Sequence, residues 1–294
     1  MIRVRALLLA AAVLFWAGAA AGQEAGAAAG PRLWVARVAD STIYLFGAPS
    51  MLRPETDWWS EALETAFDAA DALWVEGDAE ASPFLAGQLV AHGFQPDGNL
   101  EALLTPAEWT NVVATAEASG VPVATVRTMR PWLAASWAPN VWYLMAGYSP
   151  EAAPGPLFVA QARAAGKTVH SIEAPEQAIA FLSGRPEAEQ VALLRFGLAA
   201  PEALVAELDA AVAAWLKGDA DRSRELGTGR LRELSEPLHR AMIGGRNRAF
   251  ADRIIDLLAE PGTSFVVVNA AAVGGPDGVP ALLTERGVNV EAVQ

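Results

Sequence analysis

The two stretches with the strongest strand character lie at opposite ends of the chain, TIYLFGAPS at 42–50 and SFVVVNAAA at 264–272, separated by residues whose pattern is mostly helical. A buried strand must pair its backbone N–H and C=O groups. The ends of the chain therefore have to meet, with the intervening helices packed against the sheet they build. The expected fold class is α/β: a mixed β-sheet formed by N- and C-terminal segments with a largely helical middle.

Local signals fill in this frame. PRLWVARVADSTIYLFG reads as two strands joined at Ala39-Asp40-Ser41. In SEALETAFDAADALWVEG, Ser60 is placed as an N-cap, Leu63, Phe67 and Ala70 fall on one helical face, and Leu73 to Glu76 form a short strand stopped by Gly77. TPAEW carries a capping box, with Thr105 as the cap, Pro106 at the first helical position and Glu108 three residues after the cap. PWLAASWAPNVWYLMAG predicts a helix interrupted by Pro139, and GPLFVAQARAAGKTVHSIE a helix, a stop at Gly166 and a strand over Thr168 to Ile172. Further helices are expected from Pro175, Pro186 and Pro201, and another over Ala249 to Ala259. A helix capped by Asp277 and a terminal strand, VNVEAV, close the chain.

Composition narrows the chemistry. The chain has no cysteine, which removes disulfides, thiolate nucleophiles and Cys-based metal sites, and only His92, His170 and His239 supply imidazole. A net charge of -13 repels phosphate backbones, so nucleic acid is not an expected partner. At the N-terminus, Arg3 and Arg5 precede an apolar run and then small residues, the pattern of a secretory signal peptide over 1–22 followed by a flexible leader at 23–31 and a single domain at 32–294. The apolar run is shorter than the ~20 residues of a membrane span, so an uncleaved anchor is the lesser reading. A periplasmic or secreted protein with no membrane span after signal cleavage is expected.

Ligands in α/β folds sit where loops leave the carboxyl ends of strands. Four such ends here carry polar groups: Ser50, Glu76, Glu173 and Asn269. Glutamates at strand ends are more often solvated or helix-capping than functional. Ser50 lies outside any G-x-S-x-G elbow, and Pro49 before it imposes an extended approach, so it reads as a turn former rather than a nucleophile. His92 belongs to a helix end and His239 to a helix. His170 lies an odd number of residues from Glu173, on the opposite side of a strand. No metal site is expected from them, and the tryptophans at 58, 59, 109, 132, 137, 142 and 215 read as core.

The same positions resemble the TraB/PrgY/GumN family, relatives of the Tiki proteins. The matching pieces, in order, are IYLFGAPSMLRPETDWW, ALWVEGD, MRPWLAA, AGKTVHSIEAPEQ, AWLKGDA, GRNRAFADRIIDLL and SFVVVNAAAVGGPDG. The resemblance implies an exported or membrane-associated protein, with Tiki relatives acting as metal-dependent peptidases through paired G-x-x-H motifs and acidic residues. Position by position, Gly47 matches the first motif glycine and Ser50 stands in place of its histidine. Asn269 and Ala272 stand in place of the second glycine and histidine. Glu76 matches the family's strand-closing glutamate, Glu173 and Gln177 an acidic segment, and Arg246-Asn247 an Arg-Asn pair, while Gly155 takes the place of an acidic residue.

Neither alanine nor serine replaces imidazole on a divalent transition metal. The expectation is therefore a degenerate metallohydrolase-type site with no cofactor and a binding or envelope-associated role, its ligand an unidentified peptide, protein or envelope component. Two alternatives stand beside it: a divergent hydrolase using Glu76 as catalytic general base or a carboxylate-bound divalent metal, and a structural envelope scaffold.

Overall fold

A computed structural model describes residues 30–77 and 83–294 of the protein. The signal peptide expected at 1–22 and most of the leader expected at 23–31 lie outside the described residues. Six strands form one sheet in the order β4-β3-β5-β2-β1-β6, with β1 at Leu33–Val38, β2 at Ser41–Ala48, β3 at Ala72–Val75, β4 at Thr168–Ser171, β5 at Gly262–Asn269 and β6 at Val290–Ala292. The β1–β2 hairpin turns through Ala39 and Asp40, Ala39 taking a left-handed φ of 50°. β5 inserts parallel between β2 and β3, pairing Ser41 to Ala48 with Gly262 to Asn269 on one side, and Ala72 to Val75 with Ser264 to Val267 on the other. β4 adds parallel to β3, and β6 closes the other edge antiparallel to β1. The sheet is mixed and built from both ends of the chain, as the sequence predicts.

Side chains of the two central strands alternate between two covered faces, as the two-residue strand period requires. Phe46, Phe265 and Val267 face an aromatic core with Trp58 of the segment that follows β2 and with Phe67, Phe158 and Trp215 of the helices Glu61–Ala69, Pro154–Ala164 and Pro201–Leu216. Ile43, Leu45, Val266 and Val268 face an aliphatic core with Phe250, Ile254 and Leu283 of the helices Arg246–Leu258 and Val279–Glu285. Covering both faces is what lets β5 be apolar throughout its centre. A third core, built on Val112, Val126, Ala138 and Leu194, holds the helical middle together away from the sheet.

The capping box forms as expected, with the Thr105 hydroxyl accepting from the Glu108 N–H and the Glu108 carboxylate accepting from the Thr105 N–H. Other expectations need correction. Pro139 does not interrupt its helix, which runs unbroken over Pro131–Met145. Gly197 of the helix Glu187–Gly197 lies against the Pro139 ring and the Ala135 carbonyl, close packing that a side chain at 197 would crowd. Asp277 does not cap the helix Val279–Glu285, whose N-cap is Gly278 without a side-chain bond; Asp277 instead pairs with Arg224. The helix expected over 249–259 starts at Arg246, directly after a π-helical turn at Arg240–Gly245. The helix Ala220–Leu234 is not predicted at all, because its charged sequence lacks a wide apolar stripe.

Candidate functional site

Strands β2, β3, β4 and β5 are mutually parallel, so their carboxyl ends lie along one edge of the sheet. Glu76 follows β3 directly, Asn269 is the last residue of β5, and Ser50 and Glu173 lie two residues beyond β2 and β4. The helix Arg246–Leu258 contributes Arg246 and Asn247 from its first turn. The interleaved strand order brings Arg246 against a glutamate 170 positions away and another 73 away.

One guanidinium nitrogen, Nη2 of Arg246, donates to Oε1 of Glu76 at 2.8 Å and to Oε2 of Glu173. The other oxygen of Glu76 accepts the Asn269 backbone N–H at 2.7 Å, which ties the carboxylate to the end of β5. The Asn269 side chain accepts from the Ala271 N–H and starts the short turn Ala270–Ala272. All three charged side chains are largely covered, Glu173 being 18% and Arg246 27% exposed. Burial opposes the charge on Arg246, but Glu76 and Glu173 outweigh it and raise its pKa above the ordinary guanidinium value. With two carboxylates and one guanidinium the cluster carries a formal charge of minus one, and Oε1 of Glu173 has no hydrogen-bond donor among the described residues.

Two cavities of about 340 and 370 Å³ open on either side of this cluster. They share Pro49, Ser50, Glu76, Arg246 and Asn269. The first is a mainly apolar lobe walled by Met51, Leu208, Met242, Ile243 and Phe250. The second adds Glu173 and the start of the helix Pro154–Ala164 at Gly155 and Pro156. Both volumes lie in the lower part of the ~300–1,000 Å³ range of small-ligand pockets.

Ser50, Glu76, Asn247, Asn269, Ala272 and Arg246 thus line one lobe, and Glu173 joins them through Arg246. Gly47 is not on the cavity surface. It is buried, its carbonyl accepts the Trp215 indole N–H at 2.7 Å, and a Cβ there would stand 2.2 Å from a Val273 methyl. Its role is close packing beneath the site. His170 stacks on Trp74 with ring centroids 4.4 Å apart, and His92 is exposed, so neither reaches the site. Sequence reasoning misses Ser223, Gly227 and Thr228, which line the apolar lobe from the helix Ala220–Leu234. The small pair Ser223 and Gly227, one helical turn apart, is the signal that a helix face here leaves room for something else.

A sequence model of the TraB/PrgY/gumN family matches residues 32–292, nearly the whole chain. The protein belongs to the TraB/PrgY/gumN family. No curated protein and no solved structure matches it significantly. The metal implied for Tiki-like members of the TraB/PrgY/gumN family does not fit the residues at this site. Among the described residues, no three His, Asp or Glu side chains come together as a ligand set. Glu76 commits one oxygen to a guanidinium and the other to a backbone N–H, and the Arg246 cation already occupies the space between the two carboxylates. The hydroxyl of Ser50 is a weak donor to a transition metal, and Ala272 offers no donor atom.

Proposed function

We propose that this TraB/PrgY/gumN protein is exported to the cell envelope and works there as a non-catalytic binding protein, holding its ligand in the cleft at the carboxyl edge of the sheet. The observation that carries this reading is the occupancy of Glu76. A general base needs a free oxygen directed at a proton to be abstracted, whereas both oxygens of Glu76 hold parts of the protein in place. The Glu76–Arg246–Glu173 cluster then serves as a rigid polar rim between two cavities. Ser50 and Ala272, read as standing in place of the family's motif histidines, line the same lobe. That is the placement expected if a metal centre once occupied it. A carboxylate-based hydrolase is the reading that Glu76 weakens most.

Purified protein incubated with fractionated envelope extract is expected to rise in melting temperature with one fraction, since a ligand that binds only the folded state stabilises it. It is also expected to purify without a stoichiometric transition metal and without peptidase activity. Stoichiometric zinc, manganese or cobalt, with peptide hydrolysis abolished by Glu76→Gln, would overturn the proposal.

A further inference from the structure

The first lobe is lined by two side chains that each present a polar atom to which no described residue hydrogen-bonds, Asn247 Oδ1 and the Ser223 hydroxyl. Asn247 is 2% exposed, and its amide nitrogen donates to the Asp277 carbonyl at 2.8 Å, away from the lobe. Its Oδ1 is therefore the polar atom it offers to the cavity, and no donor among the described residues reaches it. Ser223 is 6% exposed and lines the same lobe. A helical serine usually returns its hydroxyl to the carbonyl four residues earlier, as Thr228 does to Arg224 at 3.0 Å. Ser223 makes no such bond.

Neither atom is among the sealed, unpartnered side-chain atoms of the described residues, so both are open to the cavity, and a ligand that displaces water from it must replace the water's hydrogen bonds to them. Much of the remaining wall is apolar, with Met51, Leu208, Val212, Met242, Ile243 and Phe250, while Glu76 and Arg246 supply its charged part. Resting on the reading of this cleft as a binding site, we infer that the apolar lobe binds the hydrophobic part of a neutral ligand. A hydroxyl or amide group on that ligand donates to Asn247 Oδ1 and pairs with the Ser223 hydroxyl.

Charge decides between ligand types. A carboxylate would meet the Glu76 carboxylate and a second acceptor, Asn247 Oδ1, in the same lobe. An ammonium is attracted by the net negative charge of the cluster, but to enter the lobe it would have to give up its hydration among aliphatic side chains, and that cost is the larger. A neutral group that both donates and accepts satisfies Asn247 and Ser223 without either penalty.

The test is isothermal titration of the purified protein with an isosteric series: 4-phenylbutan-1-ol, 4-phenylbutanamide, 4-phenylbutylamine and 4-phenylbutyrate. The alcohol and the amide are expected to bind saturably, each at least tenfold tighter than the amine or the acid. Ser223→Ala is expected to weaken the alcohol by about 3–10-fold, the loss of one hydrogen bond. Ala211→Phe, which fills the lobe from the helix Pro201–Leu216, is expected to abolish binding, with circular dichroism confirming that the variant remains folded. Tightest binding by the amine or the acid, no saturable binding by any of the four, or alcohol binding untouched by both substitutions would each overturn the inference. A thermal shift with envelope extract that persists in Ala211→Phe would leave the binding function standing while removing its assignment to this lobe.

Discussion

Arg53 and Arg246 each tie carboxylates from distant parts of the chain into the fold, but in opposite settings. Arg53 donates to Asp209 at 2.6 Å and to the Ala146 carbonyl at 3.2 Å, and Tyr148 donates to the same Asp209 oxygen at 2.6 Å while lying under the Arg53 guanidinium. One cation meets one anion, and none of the three lines either cleft cavity. Arg246 holds two carboxylates, keeps a negative balance and separates two cavities. The same ion chemistry thus serves as a fastener at one place and as the rim of a site at the other. What differs is the surplus of acceptor atoms and the empty space beside them.

The largest test of that contrast is removal of each arginine. Arg246→Ala leaves two largely covered carboxylates facing one another and is expected to cost about 2–4 kcal/mol in urea unfolding. Arg53→Ala breaks a half-exposed pair and is expected to cost about 0–1 kcal/mol. Equal costs would break the distinction. Next in size, Tyr148→Phe removes one hydrogen bond from a carboxylate still held by Arg53, with an expected loss of about 0.5–1.5 kcal/mol.

The smallest effect is in acid. Burial works against the charge of Asp209, but the bonds from Arg53 and Tyr148 outweigh it and hold its pKa below the ordinary 3.8. A depressed carboxylate contributes stability that is fully present above its ordinary value and is lost as pH falls through the lower, folded value. The Asp209 contribution is therefore expected to disappear below pH 3.8. In Asp209→Asn, the acid-unfolding curve should be shallower in that window, and an unchanged slope would show that the pair does nothing.

Much of the architecture was legible residue by residue. The Thr105 box, the Ser60 cap and the apolar runs of β2 and β5 are local signals, and the structure places each near its expected position. The misreadings were local rules overridden by neighbours. Pro139 stays in its helix with Gly197 of a neighbouring helix packed against its ring, and Asp277 pairs with Arg224 rather than capping a helix. Among the site residues, the glutamates were legible as strand ends. Ser223 and Thr228 were not, because in a charged helix without a wide apolar stripe the small pair Ser223 and Gly227 is the one local sign of the cavity it faces.

The sequence by itself determined the strand-forming ends, the helical middle, the lack of thiol chemistry and the family, since each rests on residue types and short spacings. Only the tertiary structure decided that Glu76, Glu173 and Arg246 form one cluster and that Ser50 and Ala272 share a cavity. The physical reason is the insertion of β5 between β2 and β3. Parallel pairing joins segments far apart in the chain, and neither the partner strand nor the charge state it creates is written in any local period.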